Sequence, residues 1–401
     1  MTVTVNASKA KGEITVPPSK SMAHRALICG ALSDRSVVKN IAFSKDIEAT
    51  LGCLKGLGAY IEICGDTVKI GGLKLENIPE NIVIDCFESG STLRFLLPLC
   101  MACGKTVTLK GAKRLFERPL VIFEEIAKEQ GILFQKGEDF VKVCGKLQSG
   151  KYEVAGDVSS QFISGLLFVL PLLSDDSSII VKGKFESASY IDLTLSALQS
   201  FGIEIERKEN TFYIKGNKAY QNNNYTVEGD CSNAAFLEAF NYLGGEVNVM
   251  GLNPDTLQGD RVYKEIFEGL RSGEKQFDLS DCPDLAPVLF AVSAVFGGAE
   301  FTGTKRLKIK ESDRANAMKE ELSKFGIEVE VLENSVIVNG GKIKKPETTL
   351  SSHNDHRIAM ALTLLLSFTG GKIEKAETVA KSYPDFYKQI SKIGIDVNET
   401  D

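Results

Sequence analysis

One pattern is written six times along this chain, and it limits the fold more than any other feature. A small polar cluster opens an apolar run of helical length, a short turn follows, and then a tail that alternates like a strand. The copies begin at Ser19 (SKSMAHRALICGALSDRSVVKNI), Glu88 (ESGSTLRFLLPLCMACGKTVTLKG) and Ser159 (SSQFISGLLFVLPLLSDDSSIIVKG). They recur at Cys231 (CSNAAFLEAFNYLGGEVNVMG), Cys282 (CPDLAPVLFAVSAVFGGAEFTG) and Asn354 (NDHRIAMALTLLLSFTGGKIEKAE). A second phrase keeps step with the first. LGAYIE from Leu57, QGILFQ from Gln130, FGIEIE from Phe201, FGIEVE from Phe325 and IGIDV from Ile393 each follow a charged helical stretch. Each reads as a helix end closed by Gly and leading into a strand. The degenerate EGLRSGEKQFDLSD after Phe267 fills the one double-length gap. Two phrases recurring in one order, about 70 residues apart, predict six α/β units, longer than ordinary solenoid repeats.

Each polar cluster then sits at a helix N-terminus. Unpaired backbone N–H groups and the helix dipole favour an anion there. If the fold brings several such starts together, the product is a pocket for a multiply anionic small molecule. The charge balance suits that reading. With a net charge of −6 the chain lacks the basic face of a nucleic-acid protein, so cations at helix starts are local features.

Other classes drop out on composition. At 401 residues the chain is too long for one ordinary core and predicts two domains. No apolar run is long enough to span a membrane. The N-terminal stretch MTVTVNASKAKGEITVPPSK lacks a signal-peptide core and reads as a strand pair. Nine cysteines, most inside apolar segments, predict free thiols and a reducing cytoplasm rather than a disulfide framework. Cys100 and Cys103 form a CxxC within RFLLPLCMACG, where a core role outweighs a redox or zinc one. The three histidines, His24, His353 and His356, make no structural zinc pattern. Gly104-Lys105-Thr106 resembles the end of a phosphate loop, but Leu99 stands where that loop needs Gly, and a strand follows. No GxGxxG follows a strand, so a dinucleotide site has no support.

Five segments carry candidate chemistry. In Lys20-Ser21-Met22-Ala23-His24-Arg25, Ser21 and Arg25 share a helix face and, with Lys20, suit a phosphate or carboxylate. In Leu115-Phe116-Glu117-Arg118-Pro119, the proline keeps Arg118 out of helical geometry, so it can point into a cleft or simply face solvent. Asp157-Val158-Ser159-Ser160-Gln161 offers three polar groups before an apolar run, where a cap needs one. In Lys305–Arg314, alternation through Lys308 and Lys310 reads as a strand end, and Ser312 or Asp313 caps the next helix. Lys310 and Arg314 can converge on one anion, with Glu311 beside them as a proton carrier. In Asn354-Asp355-His356-Arg357, Asp355 caps the helix, His356 is either a satisfied buried histidine or a proton carrier, and Arg357 needs an anionic partner if it points inward. Ala380-Lys381-Ser382-Tyr383-Pro384-Asp385 lies downstream.

The order SKSxxxR, ESGSTLR, ERP, SSQF, SYID, CPD, KESDR, NDHR, AKSYPDFY, from about Pro17 to Tyr387, resembles the enolpyruvyl transferases of the 3-phosphoshikimate 1-carboxyvinyltransferase (EPSP synthase) type. The resemblance implies an α/β fold: a two-domain inside-out α/β barrel of six βαβαββ-type repeats, three per domain, with helices inside a skirt of strands. It implies one discontinuous domain of residues 1–19 and 228–401, a second of residues 20–227, and an active site in the cleft between them. The implied reaction adds the 5-hydroxyl of shikimate 3-phosphate to C2 of phosphoenolpyruvate while C3 is protonated. Loss of phosphate then leaves the enolpyruvyl ether.

By motif, Lys20, Ser21, Arg25, Ser159, Ser160, Gln161, Ser187, Tyr190, Asp284 and Lys310 are implied to meet shikimate 3-phosphate. Lys20, Gly90, Arg118, Gln161, Arg314, His356, Arg357 and Lys381 are implied to meet phosphoenolpyruvate. Asp284 is the implied base, Glu311 the implied proton donor and Lys20 the third catalytic group, with no metal or organic cofactor. The implied protein is a cytoplasmic monomer without nucleic-acid or membrane partners, inhibited by glyphosate at the phosphoenolpyruvate subsite. Two positions depart from the family pattern. Glu88-Ser89-Gly90-Ser91 replaces the usual Asn-Ala-Gly-Thr, and Arg306 stands where Asn is common.

Two rivals remain at this stage. The sister enzyme acting on UDP-N-acetylglucosamine carries a reactive Cys on the loop that here reads Gly111–Arg118, and it lacks the SKSxxxR and SSQ sets. A non-catalytic anion binder has no need of Asp284 and Glu311 among cations.

Overall fold

The computed structural model describes residues 1–400, which divide into two compact units: residues 1–17 with 229–400, and Pro18–Glu228. In the second unit the helices are α1 (Lys20–Leu32), α2 (Lys45–Gly56), α3 (Gly90–Ala102), α4 (Lys113–Glu117), α5 (Val121–Glu129), α6 (Ser160–Val169) and α7 (Ala188–Ser200). In the first they are α8 (Cys231–Tyr242), α9 (Tyr263–Ser272), α10 (Ala286–Val295), α11 (Arg314–Lys324), α12 (His356–Thr369) and α13 (Phe386–Lys392).

The six apolar runs are α1, α3, α6, α8, α10 and α12, and nearly every residue of each is buried. Helices apolar all round must be enclosed, and strands enclose them. In the unit of Pro18–Glu228 there are three four-stranded sheets. The clearest takes its strands in the order Ile82–Asp85, Thr106–Lys110, Phe140–Cys144 and Leu133–Lys136. Its first pair is parallel, with Val107 opposite Ile82, because α3 crosses between them. The other pairings are antiparallel. Val107 and Leu109 turn inward while Thr106 and Thr108 are half-exposed, so each sheet covers helices with one face and meets water with the other.

The chain order strand, α3, strand, α5, strand, strand is the βαβαββ repeat. The glycines predicted to close the second helix of each repeat do so in the left-handed region that favours Gly: Gly58, Gly131, Gly202, Gly326 and Gly394, with Gly273 in the degenerate gap.

Two local expectations are corrected. Thr2–Val5 and Lys11–Thr15 are strands but not a pair with each other. The first is flanked by Gly371–Glu374 and Val397–Thr400, and the second runs parallel to Glu246–Met250. Both complete repeats whose other strands lie far along the chain, which no local pattern reveals. Lys305–Ile309 is a 3₁₀ turn, not a strand end. The apolar residues Leu307 and Ile309 alternate with basic ones in sequence, but the turn buries Arg306 beside Leu307 and leaves Ile309 only half-buried.

One helix contact positions functional groups. Pro98 lies inside α3 and cannot donate to the Arg94 carbonyl a turn earlier. On α6, a Cβ at Gly165 would lie 2.3 Å from that same carbonyl and 3.2 Å from the Pro98 ring. The missing N–H and the missing side chain together let α3 and α6 approach closely.

Candidate active site

In the unit of Pro18–Glu228 the predicted residues gather at the starts of α1, α3, α6 and α7. Lys20 pairs with Asp46 of α2 at 2.8 Å, both side chains largely buried. Arg25 is buried and donates to the Ser21 carbonyl (2.7 Å), the Tyr190 carbonyl (2.8 Å) and the Thr194 hydroxyl (2.8 Å). It therefore ties α1 to α7 and keeps two N–H groups in reserve. Burial lowers its pKa to about 10, so it stays charged. Tyr190 begins the α7 contact, and Ser187, the residue before α7, is held in the left-handed region at φ 57°.

Ser159 caps α6 by accepting from Gln161 N at 3.3 Å, and Ser160 is the buried first residue of that helix. Gln161 donates to the Ser91 hydroxyl (3.0 Å) and accepts from Arg94 (2.9 Å), which also donates to the Pro119 carbonyl (3.1 Å). Arg94 thus holds Gln161 and the residue after Arg118 together. The sequence analysis missed it. The available signal was a single arginine inside RFLLPL, where a buried charge must find partners. Gly90 opens α3 directly beneath Arg118: a Cβ there would lie 2.4 Å from Nη1 of that guanidinium. Arg118 has extended backbone geometry, as the following proline requires.

In the unit of residues 1–17 and 229–400 the predicted residues form a second cluster. Asp284 lies in a 3₁₀ turn, Pro283–Leu285, before α10. Its Oδ1 accepts from Lys310 (3.1 Å) and Arg314 (2.8 Å), and its Oδ2 accepts from Arg357 (3.1 Å). Arg314 is fully buried and also donates to Asp355 (2.9 Å) and Glu311 (2.7 Å). Asp355, rather than serving only as the predicted cap of α12, accepts from Arg357 N (2.9 Å), Ser312 (3.1 Å) and Arg314. Asp313, not Ser312, caps α11.

Three carboxylates therefore face three cations, Asp284, Glu311 and Asp355 against Lys310, Arg314 and Arg357. Lys310 and Arg314 do converge on one anion, but that anion is Asp284. Burial pushes the Asp284 carboxyl up, yet Arg357, Lys310 and Arg314 outweigh it and hold it well below the usual carboxylate range. Burial lowers Lys310, with Asp284 opposing.

The remaining predicted groups flank this cluster. Lys381 donates to the Asn354 carbonyl at 2.6 Å. His356 is buried with Nδ1 3.9 Å from Asp355, which is geometry for a weak contact. Arg357 also touches the Ser232 hydroxyl and the Asp284 carbonyl (3.2 Å). Arg306 is buried and donates to the Ser280 carbonyl. Asp260 was not anticipated. Burial, then the Asp284 charge, push it up to about 6.

Among the described residues, one group has metal-ligating types within reach of a common point: Glu320, Glu321 and His353. There Lys324 already supplies the cation, 2.8 Å from Glu321. No helix among the described residues is long and apolar enough to cross a membrane.

Known proteins resemble this chain along nearly its whole length. The family model of EPSP synthase (3-phosphoshikimate 1-carboxyvinyltransferase) matches residues 5–390. A 3-phosphoshikimate 1-carboxyvinyltransferase from Clostridium kluyveri is 42% identical, over 99% of this chain and 98% of that protein. One from Clostridium acetobutylicum is also 42% identical, with the same coverage of each. A solved EPSP synthase from Acinetobacter baumannii superposes with a TM-score of 0.80 at 23% identity, covering 99% of this chain and all of the other, a likeness that shows the fold. The chain belongs to the EPSP synthase family.

Proposed function

We infer that this chain transfers the enolpyruvyl group of phosphoenolpyruvate to the 5-hydroxyl of shikimate 3-phosphate and releases phosphate. The observation that carries the residue assignment is Arg314, a buried guanidinium that fixes Asp284 and Glu311 at 2.8 and 2.7 Å. Two carboxylates held this way can serve two proton transfers, provided one becomes basic.

Paired with Lys310, Arg314 and Arg357, Asp284 is a poor base because three cations stabilise its charge. A substrate anion that draws Lys310 and Arg357 toward itself removes two of them, and the pKa of Asp284 rises. Asp284 then takes the proton of the 5-hydroxyl as its oxygen bonds to C2 of phosphoenolpyruvate, and Glu311 gives a proton to C3. In the second step the Glu311 carboxylate takes a proton back from C3, the C2–C3 double bond re-forms, and phosphate leaves with the electron pair of the broken C2–O bond.

We assign shikimate 3-phosphate to Lys20, Ser21, Arg25, Ser159, Ser160, Gln161, Ser187, Tyr190, Asp284 and Lys310. Phosphoenolpyruvate falls to Lys20, Gly90, Arg118, Gln161, His356, Arg357 and Lys381. Arg314, enclosed by three carboxylates, serves as the anchor of the acid and base. The reading places the enzyme in the cytoplasm as a monomer, and nine free thiols fit a reducing compartment. The UDP-N-acetylglucosamine alternative is disfavoured because no cysteine lies between Cys103 and Cys144, the stretch that holds the Gly111–Arg118 loop.

The test gives purified protein both substrates and measures phosphate release. Asp284→Asn and Glu311→Gln should bind substrates in calorimetry and turn over about a hundredfold more slowly or worse. Near-parental turnover in both variants refutes the assignment.

A further inference from the structure

The core of the unit of Pro18–Glu228 is crossed by one chain of hydrogen bonds that the reaction itself does not use. Lys20 of α1 and Asp46 of α2 form a rung near the surface at 2.8 Å. One turn deeper on both helices, His24 Nδ1 meets Thr50 Oγ1, also at 2.8 Å. Thr50 continues to Thr92 Oγ1 of α3 at 2.6 Å, and Thr92 donates to Ser89 Oγ at 2.7 Å. Ser89 is the cap of α3 and accepts Thr92 N at 3.2 Å. All four side chains are buried, and their neighbours Leu51, Leu54, Leu93 and Phe95 are apolar.

Packing alone does not require these groups. Valine has the shape of threonine and brings no polar atom to bury. What hydroxyls add is fixed distance: apolar faces slide, whereas a chain of short hydrogen bonds holds register.

The chain also has a direction. Thr92 has one hydroxyl hydrogen and gives it to Ser89 rather than to the Asp46 carbonyl at 3.5 Å. It must therefore accept from Thr50, which in turn accepts from His24, so the imidazole proton is on Nδ1. Burial first, then the Lys20 and Arg25 charges, keep that ring neutral.

We propose that His24, Thr50 and Thr92 are positioning residues for enolpyruvyl transfer, a directional hydrogen-bond chain that locks the first turns of α1, α2 and α3 so that Lys20 and the Gly90 turn meet the same substrate anion. The inference rests on the reading that Lys20 and Gly90 bind substrate.

Three full-length variants test it: Thr50→Val, Thr50→Ser and Lys20→Met. Thr50→Val should raise the phosphoenolpyruvate KM about tenfold or more, the scale of sub-ångström misplacement, while Thr50→Ser stays near parental. Lys20→Met raises KM if the site reading is right. If Lys20→Met is impaired and Thr50→Val is kinetically parental, even with a lower melting temperature, the chain is merely structural and the proposal falls alone. If Lys20→Met is also parental, the site reading falls with it. The unmodified protein gives a readout that needs no variant to fold. With only three histidines, ¹⁵N shifts identify the His24 tautomer. The neutral Nδ1–H form is expected, and an Nε2–H or imidazolium form overturns the proposal.

Discussion

A methyl group added at Gly90 tests how the anion site is built. The Cβ of Gly90→Ala falls 2.4 Å from Arg118 Nη1, 2.9 Å from Cζ and 3.0 Å from Nη2. Ordinary contact needs about 3.5 Å, so the guanidinium must retreat by about 1 Å. Arg118 is the far end of a flexible side chain, and the fold tolerates that shift. The hydrogen bond we propose between it and the phosphoenolpyruvate anion should not survive the shift. Losing one charge-assisted hydrogen bond costs about 1.5–3 kcal/mol, or roughly 10- to 100-fold in KM. The methyl therefore acts through Arg118 before it meets any ligand.

Steady-state phosphate release against phosphoenolpyruvate concentration reads the effect, and a double-mutant cycle assigns it. In an Arg118→Met background, Gly90→Ala should cost little more, because its target is gone. Fully additive costs, or an unchanged KM in Gly90→Ala, would refute the reasoning.

Two further perturbations probe the scaffold. Gly165→Ala sets a methyl 2.3 Å from the Arg94 carbonyl. Overpacking of this kind costs about 1–3 kcal/mol, so urea denaturation should show lower stability, and displacement of Gln161 one turn away should raise KM as well. Glu321, fully buried, accepts from Lys324 (2.8 Å), His353 (3.0 Å) and Ser351 N (3.0 Å). Burial raises its pKa, but His353, Lys324 and Ser351 outweigh that and hold it below the usual value. Its stabilisation is thus present above the unfolded pKa of about 4.3 and is lost as pH falls through the lower folded value. Glu321→Gln should lose about 2 kcal/mol at pH 7 by denaturant titration, and the gap to the parent should narrow in acid. A gap independent of pH would contradict this.

The repeat architecture was readable because its signals are local. A polar cap before an apolar helix and a glycine after one can each be recognised within a few residues, and all six copies are helices followed by strands. Partners distant in sequence were not readable. The strands of the N-terminal stretch pair with residues hundreds of positions away. Lys305–Ile309 mimicked a strand because Leu307 and Ile309 alternate with basic residues in sequence, whereas the 3₁₀ turn buries the consecutive pair Arg306 and Leu307. Residue types at helix starts pointed to segments that the structure gathers into one cluster in each unit. Their pairing was hidden, since nothing in KESDR says that Arg314 will be enclosed by Asp284, Glu311 and Asp355. That enclosure changes the electrostatic picture. Lys310, Arg314 and Arg357 already have carboxylate partners, so an anion entering the cluster must compete with Asp284, Glu311 and Asp355 for them.

We propose that the Asp284–Glu311–Arg314 cluster moves protons to and from the substrates. Turnover in deuterium oxide tests it most directly, because protonation at C3 and its reversal leave deuterium in the enolpyruvyl group. The parent enzyme should label C3 during turnover. Glu311→Gln should bind both substrates within a few-fold of the parent by calorimetry, yet label C3 about a hundredfold more slowly. Parental labelling in Glu311→Gln would contradict the account.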